Sequence, residues 1–235
     1  PTSTTSRPAQ ESFEQGALLL HSFQYMESRE QFQYAQKLDP NFALAYWGEA
    51  MSYNYPLWDT QFKDKALAVL KKLAQTPEQR IAAAPTERER GYMKAIELLY
   101  GEGTKMQRDA AYSNAMLELT TKFTSDDEAK LFYALSLLGL KSGVRDVPVY
   151  ERAAVIAQEA FARLPDHPGA AHYVIHAVDD PQHAAQGLKA AYALARMAPG
   201  STHDQHMTSH IFLALGLWDD VVAANEVEDA AGETL

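Results

Sequence analysis

The sequence predicts an all-α fold, and three observations carry that prediction. Apolar residues recur at i, i+3, i+4 and i+7 along most of the chain, in segments rich in Ala and Leu. Capping residues stand directly before several of these runs: Ser125-Asp126-Asp127-Glu128, Asp180-Pro181 and Ser201-Thr202. No Val/Ile/Thr run of period two is bounded by an Asn-Gly or Asp-Gly turn, so strands are not expected. Starts and stops together predict about twelve helices joined by short loops.

The elements follow in order. PTSTTSRPAQ (residues 1–10) is small, polar and bracketed by proline, and reads as a flexible tail before one helical domain over 11–235. LLLHSFQYM (18–26), DKALAVLKKLAQ (64–75), AKLFYALSLLGL (129–140) and AAVIAQEAFARL (153–164) each carry the helical period. Pro181 suits the first position of a helix capped by Asp180.

Composition narrows the function classes. The chain has 235 residues and a formal charge of −10, with no block of Lys and Arg, which argues against a nucleic-acid partner. No stretch approaches 18 uncharged apolar residues, so no membrane span is expected. The absence of Cys excludes thiol catalysis, disulfides and Cys-ligated zinc or iron–sulfur sites. A Pro at position 1, no Cys and a polar Ser/Thr start suggest a removed leader and a periplasmic or secreted chain, with the cytoplasm as the alternative.

Short helices in series must bury their apolar faces on sequence neighbours, which calls for a repeat. Ser28-x3-Phe32-x2-Ala35-x4-Pro40 has the spacing of Ala153-x3-Ala157-x2-Ala160-x4-Pro165, and Gly187-x3-Ala191-x2-Leu194-x4-Pro199 repeats it. Pro165 and Pro199 stand 34 residues apart, and Gly216-x-Trp218-x2-Val221 supplies a tight turn and an aromatic plug. With LDPNFALAYWGEAMSY (38–53), these features resemble the tetratricopeptide repeat (TPR) family, best over 11–55 and 150–228. HPGAAHYVIHAVDDP and STHDQHMTSHIFLALGLWDD are also similar to segments of bacterial TPR-containing proteins. The resemblance is looser over 60–145, where GEGTK and KSGVRDVP lengthen the loops. It implies a right-handed α-α solenoid of about six helix pairs whose first helices line a concave groove. That scaffold serves many partners, so it implies no single activity.

Histidine carries the chemistry. Seven of the eight histidines lie between 167 and 210. His172-x3-His176 and His206-x3-His210 each put two imidazoles on one helix face, the spacing by which a helix offers two nitrogens to one metal. The second pair follows the first by 34 residues, so both occupy the same positions of successive first helices. In the family's pattern these positions face the groove, which implies four converging imidazoles. Asp179, three residues after His176, can share the face as a ligand or as an acceptor for an imidazole N–H. His203 stands one turn before His206. The matching register earlier in the chain holds Trp47 and Met51 instead, which makes the site local to the C-terminal half.

Plainer readings stand beside these. A groove histidine is often only solvated or hydrogen-bonded, and repeat duplication can copy a pair without a metal. His167 (HPG) and His183 (PQH) fit loop and helix-start positions, and His21, far away in sequence, is expected to lie outside the site. The aromatic residues of 19–25 and 46–58 fit a core, and the acidic clusters at 125–128 and 226–233 fit caps and a solvated end. Ser209 and His210 are adjacent on a helix and point apart, which argues against a Ser/His/Asp set with Asp204. No phosphate loop, dinucleotide fingerprint, nucleophile elbow or HExxH is present.

Two functions follow. One is a metal-binding repeat protein with His172, His176, His206 and His210 as ligands and Asp179 and His203 as further residues of the metal site, its His-rich units spanning about 166–235. Nitrogen ligands without Cys suit zinc or copper, and a water in an open position would make the site a metalloenzyme's. The other is a scaffold that holds a peptide, protein or small-molecule ligand in the concave groove without a metal.

Overall fold

The computed structural model describes residues 2–140 and 145–232. It is almost entirely helical in its regular structure, with thirteen α-helices among the described residues. These residues group into two compact units, one of 2–20 with 24–140, the other of 21–23 with 145–232. The KSGVRDVP loop runs through 141–144, and that part of it lies outside the described residues, as does the end of the acidic cluster at 233.

The first unit holds α1 (Arg7–His21, all but its last residue), α2 (Tyr25–Leu38), α3 (Ala43–Met51), α4 (Lys63–Leu73), α5 (Pro77–Ala83), α6 (Glu87–Leu99), α7 (Lys105–Lys122) and α8 (Asp127–Gly139). α1 begins inside the segment expected to be a tail. The Ser6 side chain accepts from the Ala9 N–H at 3.4 Å, and Pro8 is tolerated in a first turn. Ahead of it, the Ser3 N–H donates to Glu89 Oε1 at 2.6 Å and the Thr4 hydroxyl to Asp39 Oδ2 at 2.6 Å. Capping at 125–128 is as expected: Asp126 accepts from the Ala129 N–H, and it also pairs with Arg88 at 2.6 Å.

One strand pair was not expected. β1 (Asn54–Tyr55) and β2 (Thr60–Gln61) pair antiparallel around a 3-10 turn at Pro56–Trp58. Asp59 closes it at φ 53, a left-handed conformation that Asp tolerates without the usual Gly signal.

α3 is buried along its whole length, and Trp47 packs edge-on to Tyr92 and Phe132. Trp47 and Met51 are therefore core. Gly48 lets α2 approach α3, since a Cβ there would lie 2.3 Å from Phe32 Cε1. Gly48→Ala is expected to cost about 1–3 kcal/mol by overpacking, read as a lower urea midpoint. An unchanged midpoint would contradict the close α2–α3 packing.

The second unit is α9 (Val147–Arg163), α10 (Pro168–Val178), α11 (Leu188–Met197), α12 (Thr202–Ala214) and α13 (Trp218–Gly232), with residues 21–23. Each helix packs on the next in sequence, and α10 also touches α12. Small residues permit this: Ala153, Ala157 and Ala160 of α9 and Ala190, Ala191 and Ala193 of α11 are buried. His167 caps α10 by accepting from the Ala170 N–H, with Pro168 at the first position, and Ser201 caps α12. The helix expected from Pro181 starts later. Asp180 accepts from the N–H groups of Gln182 and His183, residues 181–183 form a turn, and a 3-10 segment (Ala184–Gly187) leads into α11. An aspartate that binds two following N–H groups favours that turn over an immediate α-helix.

Candidate metal centre

α10 and α12 place the histidines. His172 and His176 are one turn apart on α10, and His203, in the first turn of α12, reaches across to them. The Nε2 of His172 lies 2.9 Å from Nε2 of His176 and 3.1 Å from Nε2 of His203. These three form a group whose ligand atoms lie within 4.8 Å of one another.

The His172 tautomer is fixed by its other nitrogen. Nδ1 stands 2.7 Å from the backbone carbonyl of His21, which can only accept, so Nδ1 carries the hydrogen. Nε2 is then a bare lone pair aimed at two further imidazoles. One lone pair accepts one N–H well, and two nitrogens compete for it. Burial of His172 pulls its pKa down to about 4. Burial, then the neighbouring imidazole of His172, lowers His203 to about 3, and the same causes hold His176 well below the ordinary histidine value. Three neutral imidazoles therefore converge at neutral pH.

Three supporting groups were not visible as such in the sequence. The ring of Phe23 packs on His172, His203 and His176 with centroids 4.5, 5.2 and 5.7 Å away. Its backbone holds φ 58, an uncommon conformation for a bulky residue and one maintained by its surroundings. His21 supplies the carbonyl, so it belongs to the site, contrary to the expectation from its sequence distance. Its ring sits over Gly169, where a Cβ would lie 2.6 Å away, and its Nδ1 is 2.9 Å from the Tyr173 hydroxyl. Asp204 is buried with Oδ1 3.5 Å from His172 Nδ1, and burial pushes its carboxyl up to about 7. Ser209 does not join it: its hydroxyl donates to the backbone carbonyl of His206 at 2.7 Å.

The remaining histidines fall elsewhere. His206 and His210 form their own pair, Nε2 to Nε2 at 3.0 Å, and no group of all four paired imidazoles occurs among the described residues. Asp179 lies 2.8 Å from Nδ1 of His210, as an acceptor for an imidazole N–H, and raises that pKa. His183 faces Asp180 at 2.8 Å. The contacts across the α10–α12 seam run at 31 residues, His172 to His203 and Asp179 to His210, and not at the 34 that separates the two histidine pairs in the sequence. Repeat-equivalent residues point the same way, whereas residues that touch must point toward each other. The partner on α12 is therefore displaced by about one turn.

A stability prediction follows for the metal-free protein. The three depressed histidines contribute stability that is present above about pH 6.5 and lost as pH falls toward 4 and 3, because the unfolded chain takes up protons the native state refuses. Asp204 acts oppositely: its proton stabilises the fold at low pH, and that contribution is lost as pH rises through about 7. His210, raised by Asp179, acts in the same direction as Asp204, but three depressed imidazoles outweigh these two groups, so the urea midpoint should drop on acidification from pH 7 to 5. A rise would contradict the placement of the three rings.

No protein-family model matches the chain, and no curated protein does. No helix among the described residues is long and apolar enough to cross a membrane.

Proposed function

We propose that this chain is a TPR-like helical-repeat protein that binds a divalent transition metal, zinc or copper, through Nε2 of His172, His176 and His203. One observation carries the reading: a His172 lone pair, fixed by the His21 carbonyl, faces two other neutral imidazole nitrogens at 2.9 and 3.1 Å. A hydrogen bond to the far nitrogen is how proteins orient metal-ligating histidines, and the lowered pKa values keep the ligands free of protons. Phe23 shields the cluster from water on one side. Three imidazoles leave a coordination position for water or a substrate, the arrangement in which zinc activates water. Hydrolytic chemistry is the reaction class this donor set suits.

The test is metal content. Protein purified without a histidine tag, stripped with chelator and dialysed against Zn²⁺ or Cu²⁺, should retain one tightly held equivalent per chain. Retention of none would remove the reading and leave the metal-free groove scaffold as the alternative.

A further inference from the structure

We infer that His206 and His210 form a second, weaker metal site at the open end of the α10–α12 seam, distinct from the three-histidine cluster. It stands on its own residues. The two Nε2 atoms face each other at 3.0 Å, and each ring has a carboxylate behind it. Asp179 Oδ2 is 2.8 Å from Nδ1 of His210, and Glu228 Oε1, from α13, is 3.4 Å from Nδ1 of His206. The Asp179 carboxylate holds the hydrogen on Nδ1 of His210 and leaves its Nε2 as a lone pair, the arrangement that carboxylates behind metal-bound histidines impose, and Glu228 stands where it can do the same for His206. Without a metal, Nε2–H of His206 can donate to the His210 lone pair at 3.0 Å; with the His206 hydrogen moved to Nδ1, beside Glu228, both Nε2 atoms are free to hold one ion. A single shared proton offsets only one of the two flanking negative charges, whereas a divalent ion offsets both.

The donor type favours Zn²⁺ or Cu²⁺ over hard cations. Two protein nitrogens, on side chains that are 48 and 36% exposed, leave several positions to water, so binding should be weaker than at the buried cluster. Glu228 thereby gains a role in place of a merely solvated acidic end. The site also lies on the solvent side of the seam, next to the buried one, since His206 and His210 act electrostatically on His203.

The experiment is equilibrium dialysis and calorimetry with Zn²⁺ alone on tag-free parent, His210→Ala, His172→Ala and the double variant. Both outer rings are exposed enough for alanine to leave the fold intact, and circular dichroism checks this. The parent should bind two equivalents, His210→Ala only the tight one, His172→Ala only the weak one, and the double variant none. Asp179→Asn should weaken only the second equivalent, by about 10–100-fold. A parent that binds one equivalent whether or not His210 is present would overturn the second site. So would loss of all binding in either single variant, which means one shared site, and so would proton-only behaviour with no zinc bound by His172→Ala. If His172→Ala changes nothing while His210→Ala loses one equivalent, the buried cluster fails and the outer site stands.

Discussion

Replacing His172 with alanine is expected to remove tight zinc or copper binding, with an affinity loss beyond the ~100-fold that outer partners typically cost. His172 is the hub: both short nitrogen contacts of the cluster end on its Nε2. His203→Ala should lose affinity on the same scale. His206→Ala should leave this tight equivalent unchanged, because its Nε2 faces His210. His21→Ala keeps the carbonyl that accepts from His172 but removes the ring packed beside Tyr173. Its effect should therefore be intermediate, and it is no neutral control. Calorimetric titration of the four variants reads all of this. Equal affinity in His172→Ala and the parent would remove the site.

Tight binding should also persist in acid. Three imidazoles of ordinary pKa near 6.5 would each lose about thirtyfold to protonation at pH 5, or roughly 10⁴-fold together. Here burial holds His172 at about 4 and His203 at about 3, with His176 also well below 6.5. The sign is direct: a lower pKa means less proton competition, so affinity should stay nearly level from pH 8 to 5 and collapse near pH 4. An affinity that falls steeply from pH 6.5 would mean that the rings are solvated and not buried against Phe23. The bound metal should raise the thermal midpoint, by roughly 5–10 °C at a free concentration 100 times the dissociation constant.

Much of this was legible in the chain. The 3.6-residue apolar period alone determines an all-helical fold, because each amphipathic segment has one face that must be buried. Local caps are also readable, as Asp126 and Ser201 show, since a short polar side chain and the N–H it satisfies are three residues apart. The i, i+4 pairing of His172 with His176 and of His206 with His210 follows from helix geometry and stands as read. What crosses between elements is different. That His203 joins the buried pair depends on the lateral register of α10 and α12, which side-chain packing sets and no sequence period encodes. Phe23 and the His21 carbonyl come from about 150 residues away, and a backbone carbonyl leaves no mark in a residue pattern. The depressed pKa values belong to burial, which exists only once the helices have closed over the rings. The sequence thus determined which side chains were available and on which helical faces; tertiary packing decided which nitrogens meet, because contact requires facing surfaces and repetition supplies only equivalent ones.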